Sequence, residues 1–390
     1  MQAVTVQEQT ERAFPREEYE QRLRRLRAAM AEQRVDALVC VAPESLFYLS
    51  GYDANTAWSE QALVVTLSGG EPTLVIRDID APIADGQVWL SELEAYRYER
   101  DDPAAIVAGV VRAEAGAEAT VALEYGTAAL SVAYAARLER ALGAGVCDGS
   151  ALVAALRVRK TPAELAYVRA AAAISGDALD VAKASLRPGI TEIEFAAEIE
   201  YALRTRGSEY PGMPTWMASG PKTACSHASP SARVIGAGEP VKCSFAAVLR
   251  RYHVTTYQAF HVGEPPPLYR QRWDQCSEAL DAALGEIRPG APLRAACAAG
   301  TAVMDRDGIA EANMGRWGYG VGIAYPPTWL EPLDITLSSE GTFDVGMVFC
   351  LHVSMSAADP RFGFSLGANY TVTEAGVERV NPAPPTVHVV

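Results

Sequence analysis

Five histidines stand in 390 residues, at His227, His253, His261, His352 and His388, and imidazole is the side chain best suited to moving protons near neutral pH. His227 ends the stretch Gly220-Pro221-Lys222-Thr223-Ala224-Cys225-Ser226-His227, small and polar enough to favour a turn over a strand interior. A histidine there serves either catalysis or local structure. His253 and His261 flank Val254–Phe260, and their even spacing points both to one face of a strand, as exposed strand ends or as parts of a site. His352 follows Cys350 by two on an apolar strand, so the two share a side that is either buried or turned to a cleft.

A divalent ion needs several carboxylates or imidazoles converging on one point. Between Lys222 and Gly263 the only acidic residue is Glu239, ahead of Pro240; between Asp344 and Glu374 it is Asp359, ahead of Pro360. The strands expected to line a cleft are nearly free of carboxylates in a chain that has 48, which argues against a metal centre and calls for no cofactor. Gly318-Tyr319-Gly320-Val321-Gly322 lacks the third glycine and the strand-to-helix setting of a dinucleotide loop, and it runs into Tyr325-Pro326-Pro327.

The wider composition narrows the partners. Lys and Arg total 34, the net charge is −14, and such a surface repels a phosphate backbone or an anionic membrane. Met1–Glu11 is polar and acidic rather than a signal peptide, and no run approaches the roughly 20 apolar residues of a membrane span. Seven scattered cysteines without a C-x-x-C pair read as reduced thiols in a cytoplasm.

Elements that could position these residues follow from periodicity. Arg16–Gln33 spaces Tyr19, Leu23, Leu26 and Met30 as one helix face. Strand-like Val35–Ala42, Ala62–Leu67, Thr73–Ile76 and Ala119–Leu123 alternate with helical Pro103–Ala115 and Thr127–Leu142, an α/β domain closed by the turn-forming Cys147-Asp148-Gly149-Ser150. Domains of 1–152 and 153–390 are expected. The second opens with Thr161, Pro162 and Glu164, a capping box ahead of a long helix towards Ala184, and a second start stands at Thr191 and Glu194. Leu186-Arg187-Pro188-Gly189 and Ile287-Arg288-Pro289-Gly290 lie 101 positions apart, each between two helices and upstream of strand-like sequence. Strands are expected at Val241–Leu249, Val254–Val262, Met347–Val353 and Asn369–Val372. A duplicated α+β half-domain with a pseudo-two-fold axis follows, with its site in the cleft between the copies.

These features together resemble the creatinase/aminopeptidase P/methionine aminopeptidase superfamily, the "pita-bread" fold. The resemblance rests on the order of Ser219-Gly220…His227, Arg251-Tyr252-His253, Gly318-Tyr319-Gly320-Val321-Gly322 and Val345-Gly346-Met347. In the first half it rests on Leu46-Phe47-Tyr48-Leu49-Ser50-Gly51-Tyr52-Asp53, taken as the end of a first strand. It implies a creatinase-type α/β N-terminal domain and an α+β pita-bread domain. The metallopeptidases of the superfamily hold two metal ions with two aspartates, a histidine and two glutamates. Their places fall here at Ser244, Thr255, Tyr319, His352 and near Gly367, so all five ligands are replaced.

That pattern resembles the non-peptidase branch, creatinase and ectoine hydrolase-like enzymes, with His227 at the position of the creatinase histidine. The two creatinase glutamates fall at Tyr257 and His352. The ectoine hydrolase-like ones fall at Ser244 and near Ser365. The expected activity is metal-independent hydrolysis of a C–N bond, amide- or amidine-like and cyclic in the leading form, in a small polar metabolite. His227, His352 and Tyr319 are the expected catalytic residues. Tyr252, Thr255, Tyr257, His261, Tyr325, Ser244 and Cys350 are expected to bind substrate. A cyclase, dehydratase or isomerase of specialised metabolism is the alternative, and a non-catalytic binding protein the third. The resemblance also implies a homodimer in which Asp53 and Trp58 border the partner's cleft, unless their loop is simply solvated.

Overall fold

The computed structural model describes residues 12–143, 145–313 and 316–390, and the chain parts into two compact units between Arg157 and Val158 rather than at 152/153. Residue 152 falls inside a helix, α6 (Ser150–Val158), whose buried Leu152 and Val153 belong with the first unit. Among the described residues no helix is long and apolar enough to cross a membrane.

In the first unit α1 (Arg16–Gln33) matches the expected helix and buries Tyr19, Leu23, Leu26 and Met30 on one face. A mixed sheet follows, built from β1 (Ala37–Cys40), β2 (Ala62–Thr66), β3 (Thr73–Arg77), β4 (Leu93–Tyr96), β5 (Val121–Leu123) and β6 (Cys147–Asp148) in the order β4-β3-β2-β1-β5-β6. The segment Leu46–Ser50, expected to end a strand, is instead the body of α2 (Pro43–Ser50). Pro43 takes the first helical position, Gly51 closes the helix at φ 87°, and buried Glu124 accepts from the N–H groups of Val41 and Ala42 at 3.0 and 2.9 Å. Tertiary capping from Glu124 thus decides a segment whose own sequence is evenly apolar. Two short-range packing helices complete the unit, α3 (Ala81–Ala84) aside: α4 (Pro103–Ala115) and α5 (Val132–Leu142), the latter starting at its Ser131 cap rather than at Thr127.

The second unit is duplicated, and the copies share more than sequence. Helices α7 (Pro162–Ser185) and α8 (Glu192–Thr205) precede β7 (Trp216–Ser219), β8 (Pro240–Leu249) and β9 (Tyr252–His261). Helices α9 (Pro267–Gly285) and α10 (Leu293–Arg306) precede β10 (Gly318–Gly320), β11 (Glu331–Ile335), β12 (Val348–Ala358) and β13 (Arg361–Thr373). Both capping boxes form, at Thr161–Glu164 and Thr191–Glu194. Gly189 and Gly290, each at positive φ, donate their N–H to Ile235 and Phe343 carbonyls at 2.9 and 2.8 Å. Ile235 and Phe343 return bonds to Ile190 and Ala291, so the two Arg-Pro-Gly turns are stitched down in the same way.

The strands lie in the order β11-β10-β12-β13-β9-β8-β7, with β14 (Gly376–Arg379) on β13 and β15 (Val387–Val389) on β9. β9 and β13, the last strands of the two copies, meet where Tyr257 faces Gly367. One sheet face carries the helices: Thr256 on β9 meets Ser175 of α7, Phe260 meets Phe195 of α8, and Phe349, Leu351, Val353 and Met355 of β12 join the apolar cluster under α9 and α10. Alternation therefore turns Tyr257, His352 and Ser354 to the opposite face.

Candidate active site

On that face the side chains form rows across the sheet, read from the strand register. Ser244 of β8 pairs with Tyr257, Tyr257 with Gly367, and Gly367 with His352. One step along, Asn369 pairs with Cys350, and Cys350 with Tyr319 of β10; one step the other way, Ser354 pairs with Ser365. Loops close over the rows to leave a cavity of about 520 Å³ that takes in Trp216, His227, Arg316, Tyr319, Trp329 and His352 together with Ser226, Ser244, Ser354 and Ser365.

His227 is exposed at the edge, its ring centroid 4.5 Å from that of Trp216. Its loop is anchored by Glu192, a fully buried carboxylate. One oxygen accepts from the Ser219 N–H and Oγ, both at 2.8 Å; the other accepts from Lys222 Nζ at 2.6 Å and from Ser231 Oγ at 2.7 Å. Burial pushes Glu192 upward, but these donors outweigh it and hold the carboxyl below its ordinary range. Sequence reasoning missed Glu192, although an acid directly after the Thr191 cap was the signal.

Deeper in, Tyr319 and Tyr257 share a hydrogen bond of 2.6 Å between hydroxyls, and Trp329 donates its indole N–H to Tyr319 at 3.1 Å. Burial raises both phenols above their ordinary value, so they act as neutral hydroxyls. His352 stacks on Tyr257 with centroids 5.2 Å apart, and burial followed by the nearby Arg316 charge pushes it down to about 4. It is a neutral imidazole at pH 7. Its Nδ1 lies 3.4 Å from Ser354 Oγ, which in turn lies 2.9 Å from Ser365 Oγ. Gly363-Phe364-Ser365-Leu366-Gly367 has G-x-S-x-G spacing, yet it lies wholly within β13 and makes no strand-to-helix elbow.

Of the expected residues, then, His227, His352, Tyr319, Tyr257 and Ser244 come together. Tyr252 does not: an odd step from Tyr257, it points to the helix side, where its hydroxyl donates to buried Glu164 at 2.8 Å. Thr255 and Cys350 share the cavity's sheet face but are fully buried, Thr255 donating to Asn369 Oδ1 at 3.1 Å. His261 has the right parity but sits four residues along the strand from Tyr257, about 13 Å, where it packs on Tyr269 and bonds the Gly263 carbonyl at 2.8 Å. Tyr325 is buried against Arg251, whose guanidinium lies 4.4 Å from its ring and 4.1 Å from that of Tyr210. Asp53 and Trp58 belong to the first unit, Trp58 with 74% of its surface exposed, and the cavity lining is drawn from the second. Trp216, Trp329 and Arg316 were not anticipated as site residues; each reaches the cavity from a loop or strand end, and of the three only Trp329 closes a segment, 318–329, with a family resemblance.

His253 proves to be structural and buried rather than an exposed strand end. Its Nδ1 faces the Arg251 carbonyl at 2.9 Å and its Nε2 accepts from the Gly212 N–H at 2.9 Å, which sets the tautomer. That bond holds the loop carrying Met213 and Trp216, and Gly212 is obligatory because a Cβ there would stand 2.0 Å from the Thr328 carbonyl oxygen. Burial lowers His253 to about 3. The unfolded chain takes up this proton below the ordinary histidine pKa of about 6.5 and the folded chain does not. Stability from this group is therefore complete above about pH 6.5 and is lost as pH falls towards 3. Between pH 6 and 5, stability measured in urea is expected to fall more steeply for the wild type than for His253→Gln, by up to about 1.4 kcal/mol per pH unit. Equal slopes would contradict a buried neutral His253.

The places that the resemblance assigns to metal ligands offer a hydroxyl at Ser244, a second at Thr255, a phenol at Tyr319, a lone imidazole at His352 and, near Gly367, a hydroxyl at Ser365 and an amide at Asn369 but no carboxylate. That set does not fit a pair of divalent ions. Among the described residues no group of three or more His, Cys, Asp or Glu side chains converges as a metal site. Gly367 is itself constrained, since a Cβ on it would lie 2.5 Å from His352 Cβ and 3.0 Å from the Leu351 carbonyl oxygen.

Comparison with known proteins agrees with the two-domain fold over most of the chain. Residues 22–159 match the creatinase/prolidase N-terminal domain and residues 166–374 match metallopeptidase family M24. The hydrolase/peptidase y4tL of Sinorhizobium fredii, itself uncharacterised, is 28% identical over 384 residues, covering 95% of this chain and 96% of its own. The ectoine hydrolase of Halomonas elongata is 27% identical over 391 residues, covering 95% and 97%. In structure, the dipeptidase PepE from Mycobacterium ulcerans superposes with a TM-score of 0.86 at 26% identity, over 97% of this chain and 99% of that one. With a duplicated sheet, a cleft at its centre and both domains matched in order, the chain belongs to metallopeptidase family M24 and carries a creatinase/prolidase N-terminal domain.

Proposed function

We propose that the protein is a metal-independent hydrolase of a C–N bond in a small metabolite. The observation that carries this reading is a cavity that, among the described residues, is lined by two imidazoles, two hydrogen-bonded phenols and no carboxylate. His227, exposed at the edge, moves the proton to or from the nitrogen. His352, neutral at pH 7, and the Tyr257–Tyr319 pair bind and polarise the group under attack. The ectoine hydrolase of Halomonas elongata supports a C–N hydrolase acting on a small molecule.

The same absence of carboxylates favours a second reading, cyclisation, dehydration or isomerisation in the repurposed cavity, because no acidic side chain is in place to activate water. Turnover in ¹⁸O-labelled water, with and without prior exhaustive chelation, separates the possibilities. One solvent oxygen per product and a rate within about twofold after chelation are expected. Unlabelled product would sink the hydrolase in favour of the lyase or cyclase, and a rate abolished by chelation and restored by a divalent ion would sink metal independence.

A further inference from the structure

Among the described residues the cavity contains one permanently charged side chain, Arg316, and no acidic one. In a chain with a net charge of −14, a cavity with a local positive charge is set apart from the surface around it. The guanidinium is half-buried. It is engaged by Asp334 Oδ1 at 3.3 Å, but with 60% of the Asp334 side chain exposed this is a rim pair of small net strength that leaves most of the five donors of the fork unused. Its charge is felt inside, since it helps to hold His352 in the neutral form. Much of the wall around it is apolar, from Met213, Trp216, Trp329 and Leu330, beside the hydroxyls of Ser226, Ser244, Ser354 and Ser365.

We infer that the substrate is a small monoanion with an apolar body, its carboxylate or equivalent anionic group held by Arg316 and its body lodged against Trp216 and Trp329. This deepens the proposed function by naming the substrate class of the same cavity. A planar guanidinium matches two carboxylate oxygens at once, and an aromatic wall rewards an apolar body by area. A cationic ligand would face Arg316 with no carboxylate to receive it, so the aromatic walls are not a cation cage. An amphiphilic anion satisfies both halves of the cavity.

Binding of simple probes tests this without any turnover. Benzoate, its neutral counterpart benzamide, the body-less anion acetate and the cation benzyltrimethylammonium are titrated against the whole protein, followed by tryptophan emission and confirmed by ligand-observed NMR. Benzoate is expected to bind about tenfold or more tighter than benzamide and acetate, with the cation weakest. Arg316→Gln brings benzoate to within about twofold of benzamide, and Arg316→Lys keeps part of the preference. Asp334→Asn, which frees the fork, holds or tightens benzoate and guards against a misfolded Arg316 variant. Equal binding of benzamide, tighter binding of the cation, or a preference that survives in Arg316→Gln would overturn the inference. The hydrolase reading stands or falls separately, on the solvent-oxygen experiment.

Discussion

His227→Ala is expected to lower kcat by about 10² to 10⁴ while leaving the fold intact, the range by which a positioned acid–base group accelerates proton transfer. The fold should survive because His227 is exposed and its ring contact is with Trp216 at the cavity edge, so alanine opens no void in the core. Steady-state rates and near-ultraviolet circular dichroism on the same preparations separate the two effects. A small KM change with a large kcat loss marks an interaction made chiefly in the transition state. If the variant turned over within about twofold of wild type, the proton would have to be moved by another group, and His352 is the other imidazole on the cavity.

Glu331→Ala is expected to produce the largest loss of stability, about 3 to 5 kcal/mol, because it removes the carboxylate paired with a buried cation. Lys160 and Glu331 pair with only 1% of either side chain exposed, and the second carboxylate oxygen accepts from the Ile323 N–H at 2.9 Å. Gly322 lies against the pair so closely that a Cβ on it would stand 2.8 Å from both Glu331 Cδ and Lys160 Cε. The pair thus ties the start of the second unit to the segment between Gly318 and Glu331, from which Tyr319 and Trp329 reach the cavity. Urea unfolding measures the loss. The double change Lys160→Met with Glu331→Leu should recover much of it, since removing both charges leaves none unpaired. A single variant as stable as wild type would show the charges to be hydrated rather than buried.

The scaffold was legible where local rules decide. Two capping boxes, Arg-Pro-Gly turns repeated 101 positions apart and strand alternation placed α7, α8 and the duplicated sheet, while the family resemblance brought His352 together with Tyr257. Parity also held the correction for Tyr252, an odd step from Tyr257. What parity cannot supply is distance along the strand, which removes His261, or the covering of one side chain by another, which removes Thr255 and Cys350. β13 was foreseen only from Asn369, because Arg361–Ala368 alternates aromatic and leucine residues with Gly and Ser and so has weak strand propensity of its own. Trp216, Trp329 and Arg316 were hidden for a different reason: each meets the cavity through contacts distant in sequence, and no spacing encodes that.

Gly367 and His352 constrain one another across two strands. Any side chain at 367 would have to push its Cβ into His352 and the Leu351 carbonyl. His352 would have to yield first, and giving it up removes an imidazole from the cavity before any carboxylate has been gained. The two positions therefore have to be changed together, and laboratory attempts to bring a carboxylate into this part of the cavity should begin with paired changes at 352 and 367.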